Sequence, residues 1–219
     1  MKLINIFLTM LLVGAAVVKA RADGPVYPSA EWKAKTPKQV GLDVNKLKEL
    51  SAYAGGFGCV VRHGYMVYTW GDAGRRKDVA SAAKPLYSHF LFKAVEDGKI
   101  FSFDERLSKW QPRLNRINKN LGYKDTGITW RHCANQISCY GLAEAPGTAF
   151  AYNDWQMALF WDTLFQKVYG ADFDTVDAEV LGPMLTDKIQ CQDDPTFMAF
   201  GTGDRPGRLA ISPRDFARF

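Results

Sequence analysis

The order of the predicted secondary structure elements indicates an α+β fold. Two strand-like segments, 57–62 and 65–70, lie close together, and segments with helical periodicity follow them, the longest over 81–97 and 154–168. Early strands followed by helices are typical of an antiparallel sheet with a helical subdomain, because a parallel sheet needs regular alternation of strands and helices. We therefore predict an antiparallel sheet that packs against helices in one domain.

The first 22 residues have the organisation of a signal peptide. Lys2 supplies the positive start, Leu3 to Val18 is an apolar run, and Ala20-Arg21-Ala22 is a small-x-small cleavage site. Cleavage after Ala22 removes three basic residues, so the net charge falls from +5 to +2. We expect a secreted or periplasmic domain over 23–219, with no membrane span after cleavage and no basic surface for nucleic acid. An uncleaved membrane anchor is the alternative.

A helix and a hairpin begin the mature domain. An amphipathic pattern over 44–54 is followed by Gly55-Gly56, which predicts a helix and its end. The two strand-like segments are rich in β-branched and aromatic residues and are separated by His63-Gly64, a strong hairpin signal.

The next element is a helix over 81–97. Pro85 is tolerated in a first helical turn, the apolar residues from Leu86 onward recur on one face, and Gly98 is suited to a left-handed helix end. Positions i and i+3 share a helix face, so the Ser81 hydroxyl and the Lys84 amine point the same way. This pair resembles a nucleophile with a base beside it. The alternative is that Ser81 is a helix N-cap and Lys84 a surface residue.

The remaining segments are mostly helices and turns. We predict a short helix over 103–112 that ends at Pro112, a helical piece that begins at Thr129, a turn at 145–148, an apolar helix over 154–168, a loop at Gly201-Thr202-Gly203 and a final helix with Ser212 as its N-cap. That final helix runs for one turn, which suggests a sequence cut within a domain; a frayed natural terminus is the alternative.

Four cysteines fit two interpretations. In an exported protein, Cys59, Cys133, Cys139 and Cys191 allow three complete disulfide pairings, with Cys133–Cys139 closing a short loop, while buried free thiols are an equal alternative. The spacing of His132 and its neighbouring cysteines fits no zinc pattern. We predict neither a metal nor a cofactor.

Tyr152 is a candidate proton relay. It lies at a turn-to-helix junction, where a side chain can project into a cleft, and nearby cations lower the pKa of a phenol. The alternative is a core tyrosine in an aromatic region.

Six segments of the chain carry a recognisable pattern: Val79–Lys84, Ala94–Ile100, Phe103–Pro112, Ile128–His132, Pro146–Asp154 and Leu209–Phe219. They resemble, in the same order, segments of β-lactamase-related serine hydrolases, the group of class C β-lactamases, D-alanyl-D-alanine carboxypeptidases and related esterases. The resemblance implies a penicillin-binding-like fold, with Ser81, Lys84 and Tyr152 as catalytic residues and Asp154 at a substrate-binding position.

The chain departs from the family pattern at two points. Asp154 replaces the asparagine of the family's Tyr-x-Asn motif, and an ionised carboxylate accepts hydrogen bonds but cannot donate them. We expect it to form an ion pair with Lys84. The family's third motif, a Lys-Thr-Gly or His-x-Gly type triad on a strand, is expected beyond Phe219, so we expect the sheet to be incomplete.

The resemblance implies an exported hydrolase that forms an acyl-enzyme on Ser81 from an amide or ester, namely a β-lactam, a D-Ala peptide or a small ester. A small molecule or peptide is then its partner; the sequence leaves the oligomeric state open. The alternatives are a non-catalytic ligand-binding protein of the same fold and an inactive fragment.

Overall fold

The computed structural model describes residues 25–198 and 207–219. The predicted signal peptide and the predicted loop at 201–203 lie outside these ranges. The α-helices are α1 Val44–Ala54, α2 Lys84–Glu96, α3 Trp130–Ala134, α4 Asp154–Trp161 and α5 Pro213–Phe216, and the strands are β1 Gly58–Arg62, β2 Tyr65–Trp70, β3 Lys77–Asp78, β4 Thr196–Met198 and β5 Arg208–Ile211. Two π-helices span Asp162–Val168 and Asp177–Thr186. Short 3₁₀ helices span Pro37–Val40, Ala80–Ala83, Leu107–Lys109, Pro112–Asn115, Lys119–Leu121 and Lys124–Gly127.

The predicted hairpin is present. Strands β1 and β2 pair antiparallel, with a register irregularity between Val60 and Val61. His63 and Gly64 both have left-handed backbones, with φ of 53° and 78°. Two consecutive positive φ angles are typical of the two-residue turn whose twist matches the flanking strands, which explains why His-Gly separates them.

A second antiparallel sheet joins the segment before α2 to the C-terminal part of the described chain. Its strand order is β3-β5-β4, so β5 lies between a strand before α2 and a strand near residue 200. We predicted a single sheet, and within the described residues there are two. The sequence pattern did not indicate β3, β4 or β5, because segments of two to four residues carry too little alternation to be recognised.

The helix predicted over 81–97 is divided. The first turn, Ala80–Ala83, is a 3₁₀ helix, and the α-helix proper begins at Lys84. It ends at the predicted place, where Gly98 adopts φ 70°. The helix predicted over 103–112 is wrong: this part of the chain contains two single 3₁₀ turns, Leu107–Lys109 and Pro112–Asn115.

The later helices begin where their capping residues predict. The Thr129 side chain accepts a hydrogen bond from the His132 N–H, and Ser212 caps α5. The predicted helix over 154–168 continues without a break from α4 into a π-helix.

An aromatic core holds α2 against the α4 region and the second sheet. Phe90 of α2 contacts Phe165 edge-on with ring centroids 5.4 Å apart, and Phe165 contacts Phe197 of β4 at 5.1 Å. Trp161 lies 5.1 Å from Phe165 and is buried with it. Edge-to-face packing of such rings adds to their hydrophobic stabilisation. The core therefore fixes α2, which follows Ser81, relative to α4, which follows Tyr152.

All four cysteines carry free thiols, including Cys133 and Cys139, so the predicted disulfide alternatives are not formed. Burial raises the pKa of the Cys133 thiol to about 12, which keeps it protonated at neutral pH.

No helix in the described ranges combines the length and apolar character needed to cross a bilayer.

Candidate active site

Ser81 lies at the junction between the second sheet and α2. The N–H of Val79 donates to the carbonyl of Leu209 in β5 (3.0 Å), and the N–H of Ala80 donates to the Asp78 carboxylate (2.7 Å). Ala80 has φ 49°, a left-handed conformation that is strained for a residue with a Cβ. The anchored strand and this turn present the Ser81 side chain to solvent.

Ser81 is not the N-cap of the helix. Val79 occupies that position, and no side chain caps this 3₁₀ turn. The Ser81 hydroxyl is instead hydrogen-bonded to the phenolic oxygen of Tyr152, 71 residues away in sequence.

Tyr152 links Ser81 to Lys84. The Lys84 ammonium donates to the Tyr152 phenolic oxygen at 2.7 Å and lies 4.6 Å from the centroid of its ring. Among the described hydrogen bonds, none joins Lys84 directly to the Ser81 hydroxyl. The predicted trio therefore meets in space, with the phenol between the hydroxyl and the amine.

Hydrogen bonds on both sides hold the Tyr152 backbone. The N–H of Ala151 donates to the Gln136 carbonyl at 2.8 Å. The Asn153 side chain accepts from the Gln156 N–H at 2.8 Å, which caps α4, and donates to the Ala151 carbonyl at 3.0 Å. Tyr152 is thus not a core tyrosine: its side chain is 49% exposed while its neighbours are anchored.

A buried amide pair supports this segment. The Gln156 carbonyl oxygen accepts from the Ser138 N–H (3.0 Å) and hydroxyl, and its amide nitrogen donates to the Gln136 side chain at 2.5 Å. Gln156 is fully buried. Sequence reasoning missed this pair, although a glutamine within the apolar run of α4 was a signal, since buried polar groups are normally hydrogen-bonded.

The surroundings of Tyr152 favour its phenolate form. The hydrogen bond from Lys84 lowers the pKa of the phenol most, followed by the bond to Ser81, and the Lys84 charge adds to both. Partial burial and the Asp154 carboxylate oppose the effect, but the net pKa lies below the ordinary tyrosine value. A tyrosine with a lowered pKa is ionised at a lower pH than an ordinary tyrosine, and its phenolate can accept a proton.

The predicted ion pair between Asp154 and Lys84 is not formed. Asp154 is the exposed first residue of α4, and the ion pairs within the described ranges do not include it. A carboxylate in the first helical turn is favoured by the helix dipole, which accounts for this position without Lys84. In the same ranges, no group of three or more His, Cys, Asp or Glu residues could hold a metal ion.

Comparisons with known proteins support the fold. The chain is similar to a solved class C β-lactamase, with a TM-score of 0.61 and 13% identity over 83% of this chain and 62% of that one. It is also similar to a point mutant of a class C β-lactamase, with a TM-score of 0.60 and 13% identity over 80% and 61% of the two chains. No protein-family model and no curated protein matches the chain. The fold is therefore β-lactamase-like and α+β, and this chain spans about three fifths of the length of those structures.

Proposed function

We propose that this protein is an exported serine hydrolase that forms an acyl-enzyme on Ser81 from an amide or ester. The observation that carries the proposal is the continuous hydrogen-bonded chain from the Ser81 hydroxyl through the Tyr152 phenol to the Lys84 ammonium. A weakly nucleophilic hydroxyl needs an adjacent base, and this chain supplies one.

In the first half of the reaction, Tyr152 acts as the base. Its phenolate takes the Ser81 proton while the Ser81 oxygen forms a bond to the substrate carbonyl carbon, and the carbonyl oxygen becomes an oxyanion. The Ser81 N–H, at the start of a helical turn where backbone N–H groups lack intrahelical acceptors, supplies one hydrogen bond to that oxyanion. The hydrogen bond from Lys84 stabilises the phenolate before the transfer.

In the second half of the reaction, Tyr152 gives up the proton that it took from Ser81. As the carbonyl re-forms and the bond to the leaving group breaks, Tyr152 donates its proton to the departing nitrogen or oxygen, which leaves an ester on Ser81. Water then attacks the ester, with Tyr152 taking a proton from the water and returning it to the Ser81 oxygen. The products are a carboxylic acid and the free enzyme.

The proposal is tested by mass spectrometry of the intact protein after exposure to a fluorophosphonate probe or a β-lactam. One adduct per chain should form and map to Ser81, and Ser81→Ala should abolish it. Ser88→Ala, at a serine of α2 seven residues after Ser81, is the matched control and should label like the unmodified protein. Equal labelling of Ser81→Ala would refute the assignment.

The same experiment separates turnover from binding. A hydrolase releases the acyl group, so the β-lactam adduct should decay with time while the product acid accumulates. A stable adduct, or a ligand-induced rise in melting temperature with no adduct, would instead support a non-catalytic ligand-binding protein of this fold. A broad, non-cooperative thermal transition with aggregation would support an inactive fragment.

Export is proposed from the signal-peptide pattern of residues 1–22. Expression of the chain in a bacterium should yield a periplasmic or secreted protein whose first residue is Asp23. Recovery of a membrane-bound product with an intact N-terminus would favour the uncleaved anchor.

A further inference from the structure

Large apolar side chains are exposed in the segment that carries Tyr152. Phe150 is 73% exposed, Tyr152 49% and Trp155 62%, and Leu142 on the neighbouring loop is 43% exposed. We call these four residues the aromatic rim. Single exposed apolar residues need no explanation, whereas a contiguous exposed apolar patch is typical of an interaction site.

The rim borders the Ser81 hydroxyl. Tyr152 contacts that hydroxyl directly. Phe150 is two residues before Tyr152 and Trp155 three residues after it, so their Cα atoms lie at most about 7 Å and 11 Å from that of Tyr152. On the other side, a Cβ placed on Gly141 would lie 3.9 Å from the Trp155 side chain, so the loop bearing Leu142 abuts the indole. Phe150 and Trp155 therefore flank, in the chain, the residue that contacts the Ser81 hydroxyl.

The segment that carries the rim also carries an exposed carboxylate. Asp154 lies between Tyr152 and Trp155 in the sequence and is exposed. Its carboxylate acts on the Tyr152 phenol, whose pKa it raises against the opposite effect of Lys84. The ammonium of Lys84 already donates to that phenol. A carboxylate on the acyl group of a substrate would be repelled by the Asp154 carboxylate if it approached it.

We propose that the aromatic rim binds the apolar part of an uncharged ester or amide and that Asp154 disfavours substrates with a carboxylate at this position. This inference rests on the proposed function of Ser81 and specifies its substrate class. It favours esters and amides whose acyl group is neutral and carries an aryl or bulky alkyl group over those whose acyl group carries a carboxylate.

Three 4-nitrophenyl esters test the inference: the acetate, the phenylacetate and the 4-carboxyphenylacetate. Attack by Ser81 releases 4-nitrophenolate, and each kcat/KM is divided by the rate of hydroxide hydrolysis of that ester to remove differences in intrinsic reactivity. We expect the phenylacetate to exceed the acetate by about tenfold or more, since burial of a phenyl group in an apolar site is worth at least that factor. The carboxylated ester should be several-fold poorer than the phenylacetate.

The variants separate the rim from the reaction centre. Trp155→Ala should lower kcat/KM for the phenylacetate about tenfold and change the acetate far less. Asp154→Asn should raise kcat/KM for the carboxylated ester and leave the ratio of the two neutral esters unchanged. Phe101→Ala is the matched control: Phe101 is 88% exposed but lies beyond the far end of α2, about 20 Å along the helix from Ser81. It should change none of the three rates, and circular dichroism should show that every variant is folded.

The outcomes distinguish the two proposals. If no ester and no fluorophosphonate acylates Ser81, the proposed function fails and this inference fails with it. If the acetate is hydrolysed through Ser81 but Trp155→Ala leaves the phenylacetate-to-acetate ratio unchanged, the rim inference is overturned and the hydrolase stands. If the rim variants change only the oligomeric state seen by light scattering, the rim is a protein contact, which also overturns the inference.

Discussion

The Lys84 ammonium lies 2.7 Å from the phenolic oxygen of Tyr152, so the phenol lies between the amine and the Ser81 hydroxyl. Because the ammonium donates to the phenol and the phenol contacts the Ser81 hydroxyl, Tyr152 is the group in position to take the hydroxyl proton. Lys84 then acts through its positive charge, which favours the phenolate.

The pH dependence of acylation should report the phenol. The lowered pKa of Tyr152 means that the phenolate is lost as the pH falls through a value below about 10, so acylation of Ser81 should slow as the pH falls. Lys84→Met removes the cation that lowers this pKa and should move the rising limb of the profile, where the rate increases with pH, to higher pH. Stopped-flow acylation at a series of pH values measures both. Identical limbs in the two proteins would contradict the role of Lys84.

Removal of the phenolic hydroxyl should slow acylation. Tyr152→Phe keeps the ring but loses the proton acceptor, and we expect a reduction of about 10²- to 10⁴-fold, the usual contribution of a general base. Labelling rates with a fluorophosphonate measure the effect. Tyr53→Phe, at a tyrosine that is 93% exposed on α1, is the control and should label at the original rate. A rate for Tyr152→Phe within twofold of the original would exclude Tyr152 as the base.

The buried amide pair should matter for both stability and reaction rate. Gln156→Leu leaves Ser138 and Gln136 without their partner, and an unsatisfied buried polar group costs about 1–3 kcal/mol of unfolding free energy. It should also slow acylation, since Gln136 holds Ala151 beside Tyr152. Urea unfolding and labelling kinetics measure the two effects.

Thr163→Val serves as the control for Gln156→Leu. Thr163 is also fully buried and donates to the Leu159 carbonyl, but it has no bond to the Tyr152 segment. It should therefore change stability without changing the acylation rate of the folded protein. If Gln156→Leu likewise changes only stability, the amide pair has no role in positioning Tyr152.

Arg218 should be a strong determinant of stability. Its side chain and that of Asp215 are fully buried, 3.5 Å apart, and the guanidinium also donates to the carbonyls of Ser29 (2.7 Å) and Ile189 (3.0 Å). Arg218→Met leaves the Asp215 charge buried without its cation, which should cost about 3–5 kcal/mol. Arg131→Met, at an exposed ion pair with Asp104, should shift the urea midpoint little because solvent screens that pair. Equal shifts for both variants would contradict this account.

Ala80→Gly should stabilise the protein. Ala80 has φ 49°, a left-handed conformation that costs a residue with a Cβ about 1–2 kcal/mol and costs glycine almost nothing. Part of this gain is offset by the greater freedom of glycine in the unfolded chain, so the net increase should be about 0.5–1 kcal/mol. Thermal unfolding measures it, and a decrease in stability would show that the Ala80 backbone is not strained.

Elements defined by local signals agree with the sequence prediction. The hairpin has its turn at His63-Gly64, α2 ends before Gly98, α4 begins at Asp154, and Ser212 caps α5. The errors have a different origin. Strands of two to four residues form only because β5 pairs with β3 and β4, so their stability comes from partners distant in the chain. The expectation of an ion pair between Asp154 and Lys84 was wrong because sequence spacing does not show in which direction a side chain points at the start of a helix.

By itself, the sequence determined the local placement of the candidate nucleophile. Ser81 and Lys84 are three residues apart at the beginning of a helix, so nearly any helical turn brings them together. The contact with Tyr152 was decided by the tertiary structure. It joins residues 71 positions apart and depends on packing of α2 against the π-helix that continues α4 and on the buried bonds of Gln136 and Gln156. Local propensities extend over a few residues, whereas the relative position of two helices is set by the core between them. That core brings Tyr152 to Ser81 and Lys84, so that the three side chains form one hydrogen-bonded chain.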